Sequence, residues 1–427
     1  MIEKFNVHKS TPFSFKLSSN HPTVLGLCDA LWDDFKMDKT KKVHLKKECL
    51  VNTIANLKVS WNTNNYIRYS RWKNNYAGLH YRYKPEYYTY DIMTGVMDNL
   101  ESMGLIKSLP GFINLNDNSK LQTAVCLKKD FKQIKNNMIS DIPPPETIIL
   151  KSRDTKIKKY YKDTESTRKM RYELALYNGL RQSTKFSLRN LNSKIINFNP
   201  EYFNQFAQKN ISSSTKEADL RNPYVYRVFN DTFSLGGRYY NGLESNASKE
   251  IRSCIHINGN PTVEKDYSCL HIRMLYNTEG IDLKEDAYSK LSKGDPGLRG
   301  LFKLIGLVSI NSKNLKTCLL ALRDEIRKSD YKSYFDSITD KNLMYYYDKW
   351  IQAHPRISKY LNSDIGISLQ NKDSVISAEI IRYFTAKAIP VLIIHDSFII
   401  EKEYESELED VMKKVYKNIF KFDPIVC

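Results

Sequence analysis

The chain is 427 residues long, 41% hydrophobic and 12% aromatic, with 66 Lys+Arg against 48 Asp+Glu and a formal net charge of +18. Ile, Leu, Val, Phe and Tyr recur throughout, which excludes a disordered chain, and no stretch approaches the ~20 consecutive apolar residues of a spanning helix. The length exceeds one ordinary core, so two or three domains are expected.

The seven cysteines (Cys28, Cys49, Cys126, Cys254, Cys269, Cys318, Cys427) are scattered, odd in number and never in a C-x-x-C pair. That argues against a disulfide framework and a thiolate zinc site, and a reduced, cytoplasmic protein is expected. No apolar run with a cleavage site follows Met1, so no secretory leader is expected. Residues 1–200 hold 34 Lys+Arg and 18 Asp+Glu, a balance of +16, whereas residues 201–427 hold 32 and 30, a balance of +2. So lopsided an excess points to a polyanionic partner for the front half, nucleic acid first among them.

In residues 1–142, aromatic and basic side chains interleave between Tyr66 and Lys84 (Arg68, Tyr69, Arg71, Trp72, Tyr81, Arg82), a mixture suited to base and phosphate contacts. Thr89 is placed to cap a helix running to about Met103. Met93, Val96, Met97, Leu100 and Met103 fall on one face of it, and Gly104 follows its end. Leu105–Lys107, a turn at Pro110-Gly111 and Phe112–Leu115 then read as a short hairpin. Helix and hairpin together have the layout of a winged helix-turn-helix, with a plain packing element as the alternative.

Asp141-Ile142-Pro143-Pro144-Pro145-Glu146 is the clearest boundary, because three prolines continue neither a helix nor a central strand. Residues 146–228 follow as a basic region. Strand-like Thr147–Leu150 leads into a run from Lys151 to Arg171, then a helix carries Met170, Leu174, Tyr177 and Leu180. Asn210–Thr215 reads as a loop.

Two later segments carry the chemistry. Pro261–Tyr276 reads as a short strand ending in the carboxylate of Asp266, followed by a helix. In Pro390–Glu401 two apolar β runs flank His395-Asp396, as in a hairpin with the acid at its tip. Two carboxylates delivered by two strand ends suit a two-metal phosphoryl-transfer site. Hard Mg²⁺ prefers carboxylate oxygen, and a pair of ions stabilises both the attacking 3′-oxygen and the leaving pyrophosphate.

On these residues the chain resembles the family A DNA polymerases. Asp266-Tyr267-Ser268 is similar to their motif A and His395-Asp396 to their motif C, while Ile394–Phe398 is also similar to the single-subunit phage RNA polymerases. Gly237-Arg238, then Asn246 and Arg252, resemble the stretch that precedes motif A. Arg299 and Lys303 have the spacing of motif B, and Gln370 resembles the family's glutamine beside the primer–template minor groove. The likeness covers about residues 230–402.

The resemblance implies roles. Asp266 and Asp396 hold two Mg²⁺ ions, with Mn²⁺ as an alternative, and the Tyr267 carbonyl is a further ligand. Lys303 and Arg299 reach the triphosphate. Arg238, Arg252, Gln370 and His395 contact DNA. Three positions depart from the family pattern: His271 stands where a steric-gate glutamate is expected, Leu307 where an aromatic is expected, and Asn311 where a tyrosine is expected. These positions face the substrate sugar and nascent pair, so relaxed sugar choice and primer synthesis become expectations.

The implied architecture is α+β, a right-hand polymerase with palm, fingers and small thumb behind a winged-helix-like domain. Its segments are 1–142 (winged-helix-like), 146–228 (thumb-like), 229–283 (palm with motif A), 284–365 (fingers) and 366–427 (palm with motif C). The compact layout resembles the primase-like family A polymerases of mobile genetic elements, including the staphylococcal cassette-chromosome type. Expected partners are a DNA template and primer or single-stranded DNA, nucleoside triphosphates, a small partner protein and a helicase, with no membrane. The alternatives are a winged-helix replication initiator with an inactive palm and a single-subunit RNA polymerase.

Overall fold

The computed structural model describes residues 10–61, 66–78, 80–113, 120–189, 217–219, 224–245 and 247–427. The protein is α+β and divides into two compact units, one drawn from residues 1–226 and 241–259 and the other from 227–240 and 260–427. Asn210–Thr215 and Asn246 lie outside the described residues.

In the first unit, β1 (Thr11–Pro12), α1 (Pro22–Asp33), α2 (Val43–Trp61) and β2 (Ile67–Tyr69) come first. α2 is buried almost round its circumference, through Cys49, Leu50, Ile54, Ala55 and Leu57 and also through Asn52, Asn56 and Lys58. Asn56 and Lys58 find partners there, as burial demands, whereas the Thr53 hydroxyl has none among the described residues. The Asn56 amide spans the Ser14 main chain, accepting from its N–H and donating to its carbonyl at 2.8 Å each, and Lys58 pairs with Asp130 at 2.6 Å.

Next come α3 (Tyr90–Ser102), β3 (Ile106–Leu109) and β4 (Thr123–Leu127). α3 is the helix expected after Thr89. Met93, Val96, Met97 and Leu100 are buried on its core face, and Gly104 takes the left-handed backbone (φ 71°) that ends it. The expected tight hairpin at Pro110-Gly111 is corrected. β3 pairs with β4, from Ile106 opposite Leu127 to Leu109 opposite Ala124, and Phe112–Ile113 pairs onward with Lys120–Leu121. The connection is thus a longer ribbon, and Asn114 and Leu115 lie outside the described residues. The sheet orders β1-β2-β4-β3.

The Pro143–Pro145 run lies inside this unit, just after Ser140–Asp141 pairs with Leu17–Ser18 and just before β5 (Ile148–Lys151). α4 (Glu165–Ser183) opens on a capping box between Thr164 and Thr167 and buries Leu174 and Tyr177. Its Arg181, fully buried, is held by Glu244 through two bonds of 3.1 Å. β6 (Phe186–Arg189) pairs with Glu217–Asp219 on one side and Ile255–Ile257 on the other.

The second unit takes β7 (Tyr226–Asn230) from Arg227 onward and β8 (Thr232–Tyr240), followed by β9 (Asn260–Asp266) and α5 (Leu270–Thr278). A helical set follows: α6 (Pro296–Asn311), α7 (Leu315–Arg327) and α8 (Asp340–Ala353). Then come α9 (Gly366–Ala386), β10 (Val391–Ile394), β11 (Ser397–Glu401) and α10 (Glu405–Phe420). β9, β11 and β10 form antiparallel neighbours in that order. β10 and β11 are mostly apolar and buried at every position but the half-buried Ile394, as strands covered on both faces must be. α10 buries Leu408, Val411, Met412 and Tyr416. Among the described residues no helix is long and apolar enough to cross a membrane.

Candidate active site

Strand register brings the two acids together. β9 and β11 pair with Asp266 opposite Ser397, and β10 returns into β11 with Ile394 opposite Ser397, leaving His395-Asp396 as the two-residue turn. His395 takes the left-handed backbone (φ 57°) that so tight a reversal requires. Asp396, next to Ser397, therefore sits beside the end of the strand that delivers Asp266, and the Tyr267 N–H donates to the Asp396 carbonyl at 3.3 Å. The C-terminal residues brace the same strand end, since Asp266 exchanges two main-chain bonds with Cys427, at 3.1 and 2.9 Å.

Asp266 keeps an exposed surface, yet protein atoms crowd round it. That desolvation first, and the Asp396 charge second, push its carboxyl up to about 7; Glu264 adds to the rise and Lys303 opposes it. Glu264 is tied by the Ser397 hydroxyl, which donates at 2.8 Å. Tyr267 offers the site no side chain. Its ring is buried and its hydroxyl donates to the Met412 carbonyl at 2.7 Å, so only its main chain is near the acids.

α6 supplies the cations. Asp295 caps it by accepting from Gly297 and Leu298 N–H, and Pro296 occupies its first turn. Leu301, Phe302, Ile305 and Ile310 are buried on one side. Arg299, Lys303, Leu307 and Asn311 recur every fourth residue and are all exposed, so they form one stripe. Lys303 acts electrostatically on Asp266. Arg299 is ion-paired to Asp286 and stands over the Tyr288 ring. Leu307 is 54% exposed, and Asn311 donates back to the Leu307 carbonyl at 2.8 Å.

A second cluster adjoins the acids. Gly237 (φ 95°) lets β8 lie against α9, because a Cβ there would come within 2.6 Å of the Phe229 ring and 2.8 Å of Ser374 Oγ. Arg238, next along β8, donates through Nε to Asp373 Oδ2 at 3.0 Å, and His271 Nε2 from α5 lies 2.9 Å from the same oxygen. Asp373 is 1% exposed. His395 is exposed at the turn, but the protein packed round its ring and then the Arg238 charge hold it below the ordinary imidazole value, so it is neutral at pH 7. Its ring meets Tyr240 edge-on at 6.5 Å, and its carbonyl accepts from Ser377 on α9 at 3.2 Å.

The structure thus places Asp266, Asp396, Lys303, His395, Arg238 and His271 in one connected set. Gln370 lies one turn before Asp373 on α9 and is half-buried. Arg252 belongs to the first unit, where it donates to the Ala247 carbonyl at 2.9 Å. Sequence reasoning missed Asp373, Asp286 and Glu264. Asp373 had one signal, its place a turn after Gln370 on the same stripe of α9 as Leu369, Ile376 and Ile380. No family model matches the sequence, and no curated protein matches it.

Proposed function

We propose that the protein is a template-directed nucleotidyltransferase that extends a 3′-hydroxyl with nucleoside triphosphates. The observation that carries the reading is the meeting of Asp266 and Asp396 at adjacent antiparallel strand ends, with Lys303 of α6 acting on Asp266. In this reading β9–β11 with α5, α9 and α10 form a palm and α6–α8 form fingers of a right-hand polymerase. The basic first unit, with its helix-and-ribbon segment, binds DNA.

The donor set fits Mg²⁺. The ion takes one or two carboxylates and keeps its remaining positions for water and substrate phosphates. Desolvation first and the Asp396 charge second raise the Asp266 carboxyl to about 7, and a divalent cation would offset both. Asp266 and Asp396 would hold it, with the Tyr267 carbonyl as a further ligand. When bound it would supply charge for the attacking and leaving oxygens.

The chain's own residues do the rest. Lys303 and Arg299, one turn apart on the exposed stripe of α6, bind triphosphate oxygens. Neutral His395 and the Asp373-held Arg238 position the primer end, with Gln370 on the next turn of α9. His271 and Leu307 put neither a carboxylate nor an aromatic side chain at those two positions, which fits use of both ribose and deoxyribose. A small partner protein, a helicase and a role in mobile-element replication belong to this reading through the motif resemblance alone.

One gel tests it. Labelled ATP or dATP is offered with Mg²⁺ on primed and on unprimed single-stranded DNA. Template-dependent products are expected; their absence on both substrates, with Mg²⁺ and with Mn²⁺, would overturn the reading in favour of a non-catalytic initiator.

A further inference from the structure

Three rings meet on the surface of the first unit, far along the chain from the candidate site. His80 stacks on Tyr160 with centroids 4.6 Å apart and planes 30° from parallel, Tyr81 lies 4.1 Å from His80, and Tyr81 and Tyr160 are 6.4 Å apart. Tyr81 is 70% exposed and Tyr160 49%. Rings so open contribute little to a core, and water is their default neighbour.

The cluster is nevertheless built on a rigid base. His80 Nδ1 accepts from the Arg82 N–H at 3.2 Å, which fixes its ring. Arg82 lies under Tyr160 and Tyr161, 5.7 and 4.4 Å from the ring centres, and donates to the Tyr161 carbonyl at 3.2 Å. Glu146, buried, clamps Arg82 at 2.8 Å and Arg171 at 2.9 Å, and Asp163 bridges the same two arginines. Charge surrounds the rings, because Lys156, Lys159 and Lys162 flank Tyr160 in the sequence and all are exposed.

We propose that His80, Tyr81 and Tyr160 are a stacking platform for unpaired bases of a single-stranded nucleic acid, with the flanking lysines on its phosphates. Fixed, exposed rings set among cations are the arrangement by which bases are held without regard to sequence. The occupant is single-stranded, because a duplex keeps its base faces stacked on one another. The proposal rests on the reading of the first unit as the DNA-binding part and not on the two acids, since its readout is binding and not extension.

The test measures fluorescence anisotropy of the full chain with labelled oligothymidylate, oligouridylate, an abasic strand and a hairpin duplex at fixed salt. Stacking of about 1–3 kcal/mol per base converts to roughly 5- to 150-fold in affinity. The pair Tyr81→Ala with Tyr160→Ala should weaken oligothymidylate binding at least about tenfold with an unchanged slope against salt. Tyr81→Phe with Tyr160→Phe should bind like the wild type, and the abasic strand should bind the wild type as weakly as oligothymidylate binds the alanine pair. Similar loss with oligouridylate would extend the platform to RNA. Unchanged binding by the alanine pair, equal loss on the duplex, or an abasic strand bound as tightly as oligothymidylate would overturn the proposal.

Discussion

Asp373 on α9 accepts the Arg238 guanidinium from β8 at 3.0 and 3.2 Å, inside a surface that leaves only 1% of the acid exposed. His271 from α5 reaches the same carboxylate at 2.9 Å, so three elements meet on one buried charge. Removing one partner of such a pair strands the other and costs about 3–5 kcal/mol. Asp373→Ala is therefore expected to lower the urea midpoint markedly, and Asp373→Asn to lower it less. Both should slow extension, since Arg238 and His271 lose their anchor. Equal urea midpoints for wild type and Asp373→Ala would contradict this.

Arg299 points its charge at Asp286 rather than into the stripe it shares with Lys303. In the proposed reading, triphosphate would have to displace that acid. Asp286→Asn is expected to lower the KM for nucleotide about two- to fivefold, the scale of one exposed ion pair, with kcat little changed. Arg299→Ala should raise KM. Steady-state extension kinetics decide it, and a raised KM in Asp286→Asn would show that Asp286 orients Arg299 instead.

Asp266 makes stability depend on pH. In metal-free buffer its folded carboxyl titrates at about 7, above the ordinary 3.8 that it has once unfolded. The folded state holds a proton that the unfolded chain releases, so the group's contribution falls as pH rises from about 4 to about 7. Asp266→Asn should flatten the melting midpoint across that window and melt higher than the wild type above it. Mg²⁺ added above pH ~7 should raise the wild-type midpoint more than the variant's. Identical pH profiles in EDTA would remove the crowding argument.

Much of this site was legible because it is local. A strand ending in Asp266 before a helix, an apolar hairpin with Asp396 at its tip, and a four-residue recurrence from Arg299 are patterns of neighbours in sequence. The helix after Thr89 and its Gly104 end were legible for the same reason. Asp373 was not, because an acid in a helix ordinarily faces water, and its partners Arg238 and His271 come from β8 and α5, distant in sequence. The partner of β3 was not either: Phe112–Leu115 is adjacent in sequence and apolar, yet β4 supplies the longer register. Arg252 fell in the motif order but folds with the first unit, since the segment 241–259 returns there.

His271 gives the sugar prediction. Its Nε2 is committed to Asp373, and no carboxylate stands in its place. Ribonucleotides and deoxyribonucleotides are expected to be used within about a factor of ten of each other, and His271→Glu should favour deoxyribonucleotides. Exclusive use of deoxyribonucleotides by the wild type would contradict it.

The most direct test of the central claim pairs two assays on Asp266→Ala and Asp396→Ala: Mg²⁺-dependent extension and binding to the same primer–template. Each variant should lose extension by at least about a thousandfold while binding DNA within about twofold of the wild type. Extension surviving in both variants would show that the two acids do not carry the chemistry.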